Sequence, residues 1–248
     1  MGKKRKKALR AVILLAAAAV LGLAGSVAYD LRHLPDISRL ERRNPERTAL
    51  MDQRIREARA KGLSYRIEQG FVPYSAISPH LKKAVLVAED AAFFSHQGID
   101  YAELKEAIKT DWKKGRWARG GSTITMQLAK NLYLSTSKSL TRKLSEAVLA
   151  RRMEGRLTKV RIFELYLNYI EWGDGLFGCQ AAARRYFGCQ ASELTPEQAI
   201  RLASIIINPR RYGPFSDRKR MVHRRRWIAE RMLEHGHLTI DQYRELKL

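Results

Sequence analysis

Eighteen residues near the start of the chain, AVILLAAAAVLGLAGSVA from Ala11 to Ala28, carry no charge, and no other feature narrows the fold as much. Wound as a helix rising about 1.5 Å per residue, the stretch is about 27 Å long, just enough to cross the hydrocarbon of a bilayer. Lys3, Lys4, Arg5, Lys6, Lys7 and Arg10 precede it. Cations before a span hold that end in the cytoplasm, so everything after Tyr29 is expected outside. A cleaved signal peptide is the other reading, with Ser26 and Ala28 as the small residues before a cleavage point. The run exceeds the usual h-region of about 7 to 15 residues, which favours an uncleaved anchor. The expected division is a basic cytoplasmic tail over 1–10, a signal anchor over 11–29, a polar Arg- and Glu-rich stalk over 30–66, and one globular domain over 67–248.

The chain holds 47 Lys and Arg against 25 Asp and Glu, an excess of 22, and only six of those cations lie in the first ten residues. The body is basic in its own right. Such a surface suits nucleic acid, anionic lipid headgroups or a phosphorylated substrate, and export sets nucleic acid aside. Cys179 and Cys189 would meet an oxidising compartment, yet QAAARRYFG between them reads as a short helix stopped by Gly188. That helix would hold the two Cα atoms roughly 15 Å apart, beyond the disulfide limit of about 7 Å. The six histidines are scattered, without the spacing of a metal site.

Helix signals dominate the body. Ser78 caps and Pro79 starts a helix with Leu81, Ala84, Val85 and Ala88 on one face. Asp100 with Glu103 makes a capping box ahead of Leu104, Ile108 and Trp112, and the pairs Thr195 with Gln198 and Thr239 with Gln242 open two more helices. Only YRIEQGFVPYSAIS, from Tyr65, has strand character. The body is expected to be an all-α globule of eight to ten helices.

The stretch EDAAFFSHQGID, from Glu89 to Asp100, sets two acids beside apolar surface. It reads plainly as a helix end with Gly98 as its stop, or more sharply as a general base sheltered by Phe93 and Phe94. Burial among aromatics would raise the proton affinity of Glu89 toward that of a useful base. Three short matches carry nothing. Ser135-x-x-Lys138 lacks the companion motifs of a transpeptidase, Gly173-x-Gly175-x-x-Gly178 follows a helical pattern and reads as a loop, and Arg224-Arg225-Arg226 reads as a solvated helix face.

Four blocks in order carry more: EDAAFFSHQG from Glu89, RGGSTITMQLAKNL from Arg119, KSLTRKLSEA from Lys138 and KVRIFELYLN from Lys159. Together they closely resemble the peptidoglycan glycosyltransferases, the lipid II polymerases, in their monofunctional membrane-anchored form. The resemblance runs from about Ile67 to Phe215. Met126 stands where the family usually has a first glutamine before Gln127, and Phe163 where leucine is common. The resemblance implies a lysozyme-like all-α fold and an inner-membrane location with the domain facing the periplasm. It implies lipid II and the growing lipid-linked glycan as substrates, membrane lipids as contacts, and cell-wall synthesis proteins as compatible partners. No cofactor is required, although a divalent cation at the pyrophosphate is compatible.

The resemblance also distributes roles. Glu89 would be the general base and Glu146 the second acid of the cleft; Ser122, Gln127, Lys130, Lys138, Arg142 and Lys143 would meet substrate, the cations at pyrophosphate. On a helix Glu146 shares a face with Lys143 and Arg142, which an ordinary salt-bridge ladder would also produce. Gly120, Gly121 and Ser122 allow close backbone approach and would cap the next helix. Asp90, Phe93, His96, Gly98, Gly121, Glu164 and Asn168 would support the site, with Lys159 and Tyr166 as scaffold beside them. A glycan-cutting lysozyme-like enzyme and a non-catalytic membrane scaffold remain as rivals.

Overall fold

A computed structural model of the chain describes residues 10, 13–15, 17–18, 21–22, 25–29, 31–114, 121–134 and 139–248. Gly120, Lys138 and part of the expected anchor lie outside them. The described residues from 25 to 29 are helical, and Ile13, Leu14, Leu15 and Leu21 are exposed. Among the described residues, no helix is long and apolar enough to cross a membrane.

Ten α-helices among the described residues make the body: α1 Ala49–Arg59, α2 Pro79–Glu89, α3 Tyr101–Lys114, α4 Ile124–Tyr133, α5 Leu140–Glu154, α6 Lys159–Tyr169, α7 Cys179–Phe187, α8 Pro196–Ile205, α9 Lys219–Glu234 and α10 Ile240–Glu245. Their starts are local chemistry. The Thr195 and Thr239 hydroxyls accept from the Gln198 and Gln242 amides while those glutamine side chains reach back, closing both capping boxes. Asp100 accepts from the Glu103 amide at 2.9 Å, and Gly188 ends α7 in the left-handed conformation at φ 67°. The two cysteines are free thiols, Cys179 buried at the head of α7.

The helices pack in two groups. α2 lies against α8 and α9, while α4 lies against α1, α5 and α6. Leu81, Ala84 and Val85 of α2 and Leu128 and Ala129 of α4 are fully buried in one continuous core. The stalk reading needs correcting, because Ile37, Leu40, Leu50 and Met51 belong to that core. Burying one such side chain contributes about 1.5–3 kcal/mol. The Arg54 guanidinium also pairs with Glu171 at 2.8 Å, both side chains largely buried. The dense Arg and Glu of this segment hid the apolar stripe Leu50, Met51, Ala58 that seats α1.

Of a three-stranded sheet only the first strand falls in the stretch from Tyr65 that has strand character; the other two were missed. β1 (Glu68–Gln69) runs parallel to β3 (Leu176–Phe177), which pairs antiparallel with β2 (Glu171–Gly173) in the order β1-β3-β2. Strands of two or three residues are too short to show period-two alternation. The segment read as a loop is therefore a hairpin, and its glycines allow close backbone approach. A Cβ at Gly175 (φ 75°) would stand 2.6 Å from the Arg66 carbonyl oxygen, and one at Gly178 (φ 82°) 2.7 Å from that of Asn168.

Candidate active site

Helix α2 stops at Glu89, nine residues before the glycine expected to stop it, because Asp90 leaves the helical conformation at φ −168°, ψ 78°. The turn sends the two acids to different partners. Asp90 is buried and accepts from the Ile124 amide at 2.9 Å and from His96 Nε2 at 3.0 Å. The Gly98 amide donates to His96 Nδ1, so the Nε2–H faces Asp90. Gly98 (φ 86°) lies where a Cβ would meet the Ala150 carbonyl at 3.2 Å. Asp90, His96 and Gly98 thus tie the end of α2 to the start of α4. Helix α4 is capped by Thr123 rather than Ser122, and Gly121 (φ 79°) turns against Leu104.

Glu89 faces the other way, its side chain 13% exposed. Oε2 accepts from Gln127 Nε2 at 3.1 Å, and the Tyr166 hydroxyl donates to Gln127 Oε1 at 3.0 Å. That second bond fixes the amide so that its N–H must point at the carboxylate. Oε1 pairs with Arg224 Nη2 at 2.6 Å. Burial raises the proton affinity of Glu89, opposed by the Arg224 charge, the Gln127 bond and Lys130. The net direction is upward, toward the range in which a carboxyl serves as a general base.

The shelter differs from the expected one. Phe94 is 52% exposed, and the Phe93 ring meets those of Phe94, His96 and Phe163. Lys159 Nζ stands 4.2 Å from the centroid of Phe93 and bonds Glu154. Tyr166, wholly buried on α6, is linked to Glu89 through Gln127.

Arg224 corrects a second reading. It belongs to no solvated face: its guanidinium reaches Glu89, and its Nε is buried without a hydrogen-bond partner among the described residues. Arg225 is buried and donates to the Ser216 carbonyl at 2.8 Å, while Arg226 is exposed. The sequence does hold the signal. Met221, Arg225, Ile228 and Met232 recur at helical spacing, and all four are buried, so a cation sits in register with an apolar stripe and Arg224 flanks it.

The cation set forms around a buried acid. Glu146 pairs with Arg142 one turn earlier and with Lys143 Nζ at 3.1 Å. Lys143 also donates to Ser122 Oγ at 2.5 Å, linking α5 to the loop before α4. Lys130 on α4 carries no ion pair among the described residues. Burial holds Arg142 below its ordinary proton affinity. Burial and then Arg142 do the same to Lys130, which Glu89 partly offsets, and burial, Arg142 and Lys130 to Lys143. Arg142 thus bears on Lys130, and both bear on Lys143, with the Glu146 carboxylate paired to Arg142 and Lys143, an arrangement chemically suited to an anion.

Glu164 and Asn168 stand apart from both clusters. Glu164 accepts from the Tyr74 amide at 2.7 Å and pairs with Arg161 at 2.5 Å. Asn168 exchanges bonds with the Val72 amide and carbonyl, both at 2.9 Å. They bind the segment before α2 to α6. Among the described residues, no group of three or more His, Cys, Asp and Glu side chains is arranged to hold a metal ion.

A family model described as Transglycosylase matches residues 56–233. A protein of Dechloromonas aromatica (strain RCB) named biosynthetic peptidoglycan transglycosylase is 49% identical over 169 residues, covering 68% of this chain and 73% of its own. One of the same name from Aromatoleum aromaticum is 47% identical over 190 residues, 77% of this chain and 82% of its own. A third, from Nitrosomonas europaea, is 45% identical over 224 residues, 90% and 89% of the two chains. Among solved structures, penicillin-binding protein 1A from Haemophilus influenzae matches with a TM-score of 0.41 at 20% identity, over 74% of this chain and 18% of that one.

Proposed function

The chain belongs to the transglycosylase family, and from that premise we propose how its residues join lipid II units into glycan. It is a peptidoglycan glycosyltransferase, and lipid II and glycan are the substrates that the family implies. The observation that carries the mechanism is the buried Glu89 carboxylate, held by Gln127 and Arg224, in the same site as a cation seat. Glu89 takes the proton from the acceptor's GlcNAc 4-hydroxyl as that oxygen attacks C1 of the donor chain's MurNAc. The bond from C1 to the pyrophosphate breaks with inversion, and its electron pair leaves with undecaprenyl pyrophosphate. Lys130, Arg142 and Lys143, ordered by Glu146, hold the charge that gathers on the pyrophosphate oxygens, with Lys138 assigned to the same task. Gln127 orients the base, and Ser122 holds Lys143 toward the cleft. Asp90, His96 and Gly98 keep α2 and α4 in register, so Gln127 stays aimed. A glycan-cutting enzyme has no use for that seat, and a scaffold has no use for a desolvated base. Purified protein given labelled lipid II is expected to make long glycan; shortened glycan from added strands, or no product, would overturn the reading.

The cations separate a seat from diffuse charge. Arg142→Ala or Lys143→Ala is expected to slow polymerisation about ten- to a hundredfold, the loss of one charge-assisted contact worth roughly 1.5–3 kcal/mol. Arg142→Lys should recover only part, since a point charge replaces a planar fork. Arg226→Ala, an exposed cation, should change turnover on a short-lipid substrate less than twofold. Equal damage from Arg226→Ala would withdraw the seat.

The exposed side chains of Ile13, Leu14, Leu15 and Leu21 and the cations before them support an uncleaved inner-membrane anchor with the domain in the periplasm. Such an anchor would meet a substrate that its own lipid holds in the bilayer, where the basic body adds attraction to anionic headgroups. Fractionated membranes should retain a chain with its N-terminus intact; a mature N-terminus near Tyr29 would remove the anchor.

A further inference from the structure

The segment that follows the expected anchor is fastened to the domain. Residues 25–29 are helical, the His33 amide donates to the Tyr29 carbonyl at 3.1 Å, and Leu34 packs against the core that holds Ile37 and Leu40. Between this segment and the C-terminal end of α5 lies a cavity of about 470 Å³, lined by Leu34 to Ile37 on one side and by Arg152, Gly155 and Arg156 on the other. Both arginines are exposed, and Arg152 has no ion pair among the described residues. Arg156 pairs with Glu41 at 3.9 Å, both side chains exposed, a contact worth little. The carboxylate of the wall is already engaged, since Asp36 accepts from the Ser38 amide at 2.9 Å and from the Ser38 hydroxyl at 2.6 Å. Those bonds, and then Arg156 and Arg39, hold Asp36 below the ordinary carboxylate range. Arginines thus outnumber the acid at the mouth of the cavity, and that acid is turned onto its own loop.

We propose that this cavity holds the phosphate of an anionic phospholipid between Arg152 and Arg156, and that the bound lipid sets the tilt at which the domain meets the membrane. Depth favours a lipid over a soluble anion. Leu34 follows Ala28 by six residues, about 9 Å at the helical rise of about 1.5 Å per residue, and the headgroup layer on each side of the hydrocarbon is about 5–8 Å deep. The arginines of the cavity therefore stand within reach of phospholipid phosphates. Size agrees, because about 470 Å³ falls in the range of about 300–1,000 Å³ that takes a small ligand. A phosphate with its glycerol fits there while the acyl chains run back into the bilayer. Helix α5 joins the cavity to the chemistry, since Arg152 lies ten residues from Arg142 on the same helix, about 15 Å along it. A lipid held at one end keeps α5 at headgroup depth, where the cations at its other end meet a pyrophosphate that its own lipid holds at that depth. Orientation of this kind lowers a barrier by presenting the site to its substrate in one pose.

The inference rests on the anchor and lipid II readings, so its test separates the three. Full-length protein is placed in nanodiscs of phosphatidylcholine, alone or with added phosphatidylglycerol, and the lipid it retains on release is identified by native mass spectrometry. The unaltered protein is expected to keep phosphatidylglycerol. Arg152→Ala/Arg156→Ala should keep it roughly five- to thirtyfold less, about fivefold for each arginine near an anionic surface. Arg152→Lys/Arg156→Lys should retain part of it, and Arg220→Ala/Arg226→Ala, which removes the same charge from exposed positions on α9, should retain all of it. In the same discs phosphatidylglycerol should lower KM for labelled lipid II about three- to tenfold in the unaltered protein, a gain that the double alanine variant lacks. Equal retention by the double alanine variant, or equal loss from the α9 pair, overturns the site. Displacement of the lipid by inorganic phosphate overturns it too, since the cavity would then be an anion site indifferent to the membrane. Phosphatidylglycerol held through both arginines by a protein that makes no glycan sustains the site and overturns the polymerase reading; held by a chain that begins near Tyr29, it sustains the site and removes the anchor.

Discussion

Replacing Glu89 with glutamine is expected to lower polymerisation by a factor on the order of 10² to 10⁴, the usual contribution of a positioned general base. The amide keeps the shape but offers one acceptor where the carboxylate has two, so it retains Arg224 or Gln127 and not both; KM should move by less than about threefold while kcat collapses. The pH dependence is a sharper signature. Burial raises the proton affinity of Glu89, so kcat/KM of the unaltered enzyme should rise with pH through a midpoint above the ordinary glutamate value of about 4.3. The residual activity of Glu89→Gln should lack that limb. Near-normal turnover in Glu89→Gln, at unchanged thermal stability, would remove the base assignment.

Arg224 is the second test, and it concerns a residue 135 positions from its partner. Arg224→Ala takes away the largest influence opposing burial at Glu89. The proton affinity of the carboxyl should climb further, moving the acid limb of kcat/KM to higher pH. At neutral pH the rate should fall about ten- to a hundredfold, with partial recovery in Arg224→Lys. Stability should follow with a definite sign. Because the folded-state affinity of Glu89 is raised above its unfolded value, its stabilising contribution is full below the unfolded pKa and is lost as pH rises through the folded one. Removing Arg224 enlarges that loss, so the gap in unfolding midpoint between the two proteins should widen as pH rises and narrow in acid. In the double variant Glu89→Gln/Arg224→Ala the pH-dependent part of the gap should vanish. A limb that stays in place in Arg224→Ala would show that the arginine does not tune the base.

What the sequence determined by itself are the features decided within a few residues. The caps at Ser78, Asp100, Thr195 and Thr239, the stop at Gly188, the helical class and the face shared by Arg142, Lys143 and Glu146 all depend on neighbours one turn away. Glu89 and Glu146 were legible because each lies inside a short block whose order and spacing survive as text. Tertiary structure decided which residues from separate helices meet. It brought Arg224 onto Glu89, put Tyr166 where Phe94 was expected, drew Ile37 to Met51 into the core, and paired strands too short to show a period. The physical reason is range. A cap or a helix face is fixed by bonds spanning three or four residues, whereas the partner of a buried charge depends on how whole helices pack, and an arginine beside an apolar stripe carries no mark of the carboxylate it will meet.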